Sequence, residues 1–176
     1  MINDPIKDSQ CVFQGVKFDV YQTQKKSREG NILKKEFIAH NGAVVILPFL
    51  NQNEILLIQN HRFAVNETLF ELPAGTLEMG EEPMNAAFRE LAEETGYEAK
   101  VIEPLNQFFT SPGISNEKMF AFVATDLKET LQNLDEGEEI EVTKMSFSTA
   151  LDLIKNGRIK DGKTISTLLY YKAFKK

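Results

Sequence analysis

A chain of 176 residues with 42% hydrophobic residues, thirteen of its side chains Phe, is long enough to bury a core and is composed as one globular domain, not as a disordered segment. Its formal net charge of −6 excludes a grip on nucleic acid through a basic surface, but not a phosphate-bearing small molecule held through metal ions. The single cysteine, Cys11, excludes an intramolecular disulfide framework and fits a reducing compartment.

The first ten residues, MINDPIKDSQ, lack the basic-then-apolar order of a signal peptide. The longest apolar run, GAVVILPFL at 42–50, is too short to span a bilayer and is broken by Pro48. A soluble, cytoplasmic protein with no membrane and no nucleic-acid partner is the expectation.

Hydrophobic period sorts the chain into elements. Residues 11–21 and 32–39 have strand character, with a polar turn around Ser27–Asn31 between them. GAVVILPFL and EILLIQNHRF (54–63) are apolar, β-branched runs separated by the turn-like NQN at 51–53. TLFELPAG (68–75) is expected as one short strand ending at Pro73 and Gly75. Pro83 to Thr95 is a predicted helix, with Pro in its first turn and Gly96 just past its end. Strand-like KVIEPL and QFFT follow, then the turn SPG at 111–113 and the strand KMFAFVATDL at 118–127. An acidic stretch, DEGEEIEV at 135–142, leads into a strand, a helix from Ser148 to Asn156 stopped by Gly157, and a last helix from about Lys163 to Phe174. The order is that of an α+β protein with a sheet core flanked by helices.

The predicted helix 83–95 raises a question of its own. Advancing by about 100° per residue puts Glu90, Glu93 and Glu94 on one stripe about 100° wide. Leu91, Met84, Phe88 and Thr95 fall on a different side, so the stripe is expected to lie opposite the buried face. Glu90 and Glu94, four residues apart, repel by a few tenths of a kcal/mol. Acids in the second half of a helix also oppose its dipole. Either the stripe is a solvated face, or a divalent cation removes both penalties; hard oxygen ligands on a rigid helix suit Mg²⁺ or Mn²⁺. Arg89, beside Glu93 on the wheel, is placed to orient a carboxylate.

Residues 75–97, GTLEMGEEPMNAAFRELAEETGY, resemble the Nudix box. Gly75, Glu81, Arg89, Glu90, Leu91, Glu93, Glu94 and Gly96 occupy its fixed positions, and Tyr97 stands at its final apolar one. The flanks are similar to the ADP-ribose pyrophosphatase-like branch: HNGAVVILP (40–48), QNHRF (59–63), LPAG (72–75), SPG followed by SNEK (111–118), the acidic DEGEEIEV and GRIKDGKT near the end. Together they cover about residues 16 to 172.

The resemblance implies a Nudix fold, a mixed sheet sandwiched between helices with extra N-terminal antiparallel strands. Residues 1–41 would form a dimerisation region and 42–176 the hydrolase domain. It implies Mg²⁺, with Mn²⁺ as an option, held by Glu90, Glu93, Glu94 and the carbonyl of Ala74. The catalytic group would comprise Arg89, Glu93 and an acidic-loop base, Glu138 first and Glu136 second. Substrate contacts would come from Arg62, Gly113 and Glu117; His40 and His61 are expected to be structural. The implied reaction is hydrolysis of the diphosphate of a nucleoside diphosphate sugar, ADP-ribose to AMP and ribose 5-phosphate, by a homodimer. GDP-mannose is the rival substrate, and a catalytically silent binding module the reading from another class.

Overall fold

The computed structural model describes residues 6–15, 18–134, 137 and 139–175. Among the described residues, ten strands and three helices follow in the order β1 Gln10–Gln14, β2 Asp19–Lys26, β3 Ile32–Ala39, β4 Ala43–Pro48, β5 Glu54–Arg62, β6 Glu67–Glu71, β7 Ala74–Thr76, α1 Pro83–Thr95, β8 Tyr97–Phe109, β9 Lys118–Glu129, β10 Ile140–Ser146, α2 Phe147–Lys155 and α3 Gly162–Phe174. They make three sheets, ordered β1-β2-β3, β10-β5-β6 and β7-β4-β9-β8. The last is mixed, because β4 runs parallel to β9 and all its other pairs are antiparallel.

β4 is the centre of the molecule. All six of its residues are buried, so AVVILP is a continuous apolar run instead of an alternating one, as expected of a strand covered on both faces. Its alternate side chains feed two cores. Val45 and Leu47 pack with Ala150 and Leu168 on the side of α2 and α3. Val44 and Ile46 pack with Ala86, Ala87 and Leu91 of α1 on the other side. The mixed sheet is thus sandwiched between helices, as the sequence implies.

Several boundaries differ from the sequence expectation. The single strand expected over 11–21 is instead a hairpin, β1 to β2, whose turn is closed by Gly15 N–H donating to the Phe18 carbonyl at 3.2 Å. KVIEPL and QFFT are one strand, β8, with a register irregularity between Pro104 and Asn106. It is an edge strand, where a residue without an N–H does least harm. TLFELPAG is two strands in two sheets. β6 pairs with β5, the chain crosses at Leu72–Pro73, and β7 pairs with β4.

The crossing is held from the α3 side. Asp161 caps α3 through Thr164 N–H at 2.9 Å and accepts the Thr164 hydroxyl at 2.6 Å. That hydroxyl accepts in turn from Leu72 N–H at 2.8 Å, between residues 92 apart in sequence. Both Thr164 and Leu72 are fully buried. Thr164→Val keeps the shape and strands the Leu72 N–H, so stability should fall by about 1–3 kcal/mol. Thr167→Val, whose hydroxyl donates to the Lys163 carbonyl of its own helix, should cost less. Chemical denaturation of both variants checks the order.

Candidate active site

α1 begins at Pro83, with extended Glu82 before it, and ends at Gly96, whose φ of 67° is the left-handed conformation that terminates a helix. The Gly96 amide closes the last turn on the Ala92 carbonyl. The helix lies against β7, and the box residues are fixed by that contact. A Cβ built on Gly75 would stand 1.9 Å from the Glu90 carboxyl carbon, so only glycine admits this carboxylate against the β7 backbone.

The carboxylate stripe does not lie opposite the buried face. Ala86, Ala87, Leu91, Thr95 and Glu94 are the buried residues of α1, and Glu94 is only 4% exposed. The wheel reading failed because the short strand β7 presents backbone donors, and a carboxylate can be buried against them. Ala74 N–H donates to Glu94 Oε2 at 2.8 Å. Phe88, expected among the buried residues, is exposed.

Arg89 gathers the other acids. Its Nε and Nη2 donate to Glu81 at 3.0 and 2.9 Å, and its Nη1 to Glu90 at 2.7 Å and Glu93 at 3.1 Å. The hydrogen bonds that Arg89 donates to Glu81, followed by the Glu90 and Glu93 carboxylates, pull the Arg89 pKa above its ordinary value against the cost of burial. Reciprocally, Arg89 holds the Glu81 carboxyl below the usual range. Glu81 also accepts the Glu78 N–H at 3.0 Å, which folds the loop after β7 back over α1.

A cleft of about 340 Å³ opens here, lined by Arg62, Ala74, Gly75, Glu90, Glu93 and Glu94 among others. It adjoins a larger cavity of about 510 Å³, with which it shares Arg62, Ala74, Gly75 and Thr76. Phe108, Phe109, Thr110, Glu117, Asp161 and Lys163 also line the larger cavity. Glu117 accepts the Thr110 hydroxyl at 2.5 Å and faces His40 Nε2 at 3.7 Å. His40 Nδ1 accepts from Gly42 N–H at 3.0 Å. Gly113 lies apart, in an apolar cavity of about 330 Å³ with Phe37, Pro112 and Ile114, joined to the larger one through Phe109.

Arg62 is tied to Glu71, its Nε and Nη2 donating at 2.7 and 2.6 Å. That hydrogen bonding holds the guanidinium above its ordinary pKa against desolvation. Glu136 and Glu138 lie outside the described residues. Glu139 is exposed, and Glu141 faces Gln59 in the β10–β5 register. Glu71, Asp161 and Lys163 were not singled out from the sequence. An acid inside the apolar run LFEL, and the polar DGKT stretch, were the signals available.

Among the described residues, no group of three or more His, Cys, Asp or Glu side chains stands ready to hold a cation. The reason is visible: Glu90 and Glu93 lean on Arg89, and Glu94 on the Ala74 amide. The donor set still fits a divalent ion. Three carboxylates and the β7 backbone border one cleft, all of them hard oxygen donors.

A family model described as the NUDIX domain matches residues 39–168. The chain is 37% identical over 161 residues to an ADP-ribose pyrophosphatase of Bacillus subtilis (strain 168), covering 90% of this chain and 87% of that one. It is 40% identical over 143 residues to a methanol dehydrogenase activator of Bacillus methanolicus, covering 80% and 77%. It is 32% identical over 180 residues to a GDP-mannose pyrophosphatase of Shigella flexneri serotype 5b (strain 8401), covering 97% and 93%. A crystal structure described as an ADP compounds hydrolase shares the fold, with a TM-score of 0.84 at 23% identity over 94% of this chain and 90% of that one. The chain belongs to the Nudix family of hydrolases, on its ADP-ribose pyrophosphatase-like side. Proteins of this family generally use divalent metal ions.

The Glu81–Arg89 pair has a pH signature. Because the folded-state pKa of Glu81 lies below its ordinary 4.5, its contribution to stability is present above about that pH and lost as pH falls through the folded value. Glu81→Gln should therefore melt lower than the parent by a constant margin from pH 7 to 5, and the margin should shrink below. Calorimetry across pH 7 to 3 reads it.

Proposed function

We propose that the chain is a Mg²⁺-dependent hydrolase of nucleoside diphosphate sugars, with ADP-ribose as substrate and AMP and ribose 5-phosphate as products. The observation that carries this reading is the adjacency of two cavities: a carboxylate-lined cleft suited to hard cations opens directly into a larger cavity able to receive a nucleotide or sugar half. The similarity to an ADP-ribose pyrophosphatase over nine-tenths of the chain favours that substrate; the GDP-mannose pyrophosphatase is the second reading at lower identity.

Glu90, Glu93, Glu94 and the Ala74 carbonyl would hold the ions, and Mn²⁺ would serve in place of Mg²⁺. Bound there, divalent ions neutralise charge building on the phosphoryl oxygens and make water a stronger nucleophile. The protein's own part is positioning. Arg89 keeps Glu90 and Glu93 oriented toward the cleft while the Ala74 amide fixes Glu94. A carboxylate must take the proton of the attacking water. Glu138 is the assigned base, with Glu136 second; Glu93, whose side chain is 36% exposed, is the helix alternative. Arg62 and Glu117 border the place where the diphosphate and a sugar hydroxyl would lie, and Gly113 contributes through the neighbouring apolar cavity.

Residues 1–41 are assigned to a homodimer interface and 42–176 to the hydrolase domain. The sheet β1-β2-β3 supports this, since Val12, Phe13, Phe18, Ile32 and Leu33 on and beside it are exposed. It meets the rest of the chain at Ile38, whose N–H donates to the Ile114 carbonyl at 2.8 Å. We also assign the chain a cytoplasmic location. No described helix is long and apolar enough to cross a membrane.

With Mg²⁺, ADP-ribose should be cleaved faster than GDP-mannose, and Glu94→Gln should lower the rate by about 10²-fold or more. Failure to release a nucleotide from either substrate with Mg²⁺ or Mn²⁺ sinks the proposal. Sedimentation at micromolar concentration should show a dimer, and a monomer would remove residues 1–41 from any interface role.

A further inference from the structure

The carboxylate of Glu117 borders the larger cavity and is approached at both of its oxygens. The Thr110 hydroxyl donates to Oε2 at 2.5 Å, and His40 Nε2 stands 3.7 Å from Oε1. Thr110 belongs to the same loop as Glu117, between β8 and β9. His40 comes from elsewhere, the connection between β3 and β4, and the proposed reaction leaves it idle.

The imidazole of His40 is fixed in place and in tautomer. Its backbone N–H donates to Asn116 Oδ1 at 2.8 Å, next to Glu117 in sequence. Two residues earlier, Ile38 donates its N–H to the Ile114 carbonyl at 2.8 Å and accepts the Asn116 N–H at 3.3 Å. Residues 38–40 are therefore stitched to residues 114–116. Within the ring, Nδ1 accepts the Gly42 N–H at 3.0 Å. A ring nitrogen that accepts carries no proton, so the imidazole is neutral and its N–H sits at Nε2, the atom facing Glu117. At 3.7 Å the approach is longer than a hydrogen bond. An N–H dipole aimed at a carboxylate still restrains how that carboxylate turns. The two side chains are 20% and 28% exposed, so most of each is shielded from water.

We propose that His40 is a positioning residue for Glu117. A carboxylate offers about four lone-pair positions. With Thr110 on one oxygen and His40 on the other, the group is kept from swinging into solvent, and its remaining lone pairs accept hydroxyls of the substrate's sugar. This rests on the proposed function in taking a nucleoside diphosphate sugar as the ligand. Those hydroxyls are present before and during bond breaking, so the contact acts on ground state and transition state alike. Its loss should appear in KM and binding, with kcat changed far less.

The test uses the full chain with ADP-ribose, in Mg²⁺ for steady-state kinetics and in EDTA for affinity by calorimetry without turnover. His40→Asn keeps an acceptor for the Gly42 N–H, because an Asn side chain bonds the amide two residues on, but it cannot reach Glu117. His40→Gln does the reverse: its amide N–H extends as far as Nε2, and the Gly42 N–H loses its acceptor. His40→Asn should melt like the parent and raise KM about 3- to 10-fold. His40→Gln should melt lower, yet recover much of the KM. On a Glu117→Gln background, His40→Asn should add nothing. KM values that follow melting temperature instead, with His40→Asn like the parent and His40→Gln impaired, make the histidine a turn former only and overturn the proposal. A cost of His40→Asn that is the same with and without Glu117 also overturns it. Should neither variant fold, the imidazole nitrogen NMR shifts of the parent decide: a protonated Nε2 that responds to Glu117→Gln upholds the contact, and an unprotonated or unresponsive Nε2 overturns it. A parent that cleaves no nucleotide sugar, but whose ADP-ribose affinity falls with His40→Asn only while Glu117 is present, sinks the functional reading and leaves this one standing. A parent that neither cleaves nor binds overturns both.

Discussion

Arg89 carries one positive charge, and three carboxylates lean on it. Without that cation, Glu90 and Glu93 would repel each other along one edge of α1, and Glu81 would have no reason to bring its loop back over the helix. The guanidinium suits the task because its planar fork spreads donors over several acceptors at once, which a lysine ammonium cannot do with the same directionality. Its neutralisation is incomplete by count, one charge against three, and that deficit leaves this cluster of side chains net negative beside the cleft.

The consequences run outward through the strand that faces the helix. For Glu90 to sit against β7, position 75 must lack a Cβ; for Glu94 to be buried, the Ala74 amide must point at it and not into a sheet partner. A strand meeting both demands is short, and β7 has only three residues. The chain reaches it by leaving one sheet for another at Leu72–Pro73, where Pro73 has no N–H to satisfy. The opposite side of that crossing is fixed by Thr164 on Leu72 and by Lys163 on Glu71. Residues 71–75 are thus clamped between α1 and α3, and Ala74 and Gly75 border both cavities.

Local pattern made much of this legible. Pro83, Gly96 and the apolar period located α1 to the residue, the runs at 42–50 and 54–63 located β4 and β5 to within two residues, and the spacing of the acids pointed to the carboxylates that line the cleft. What local pattern could not carry was pairing at a distance. TLFELPAG has the composition of one strand, and only its partners, β5 on one side and β4 on the other, divide it into two. Glu71 and Lys163 are 92 residues apart, so nothing near either one announces the other. Glu94 was misplaced because a wheel treats every carboxylate as solvent-seeking. Burial of a charge depends on the donor waiting for it, here a backbone amide of another element.

The distribution of cations around the clamp points to a division of labour in binding a diphosphate. Arg89 is committed to carboxylates on several sides, and any phosphate reaching the helix stripe meets acids first. One end of the diphosphate is then attracted only when divalent ions intervene. At the other end, Arg62 and Lys163 are matched in number by Glu71 and Asp161, so attraction there rests on the N–H donors those pairs leave over and not on net charge. A substrate with two linked phosphates would meet metal-dependent attraction at one phosphorus and metal-independent attraction at the next. That asymmetry can fix which phosphorus lies over the carboxylates before any bond breaks, and with it which side of the bridging oxygen water attacks.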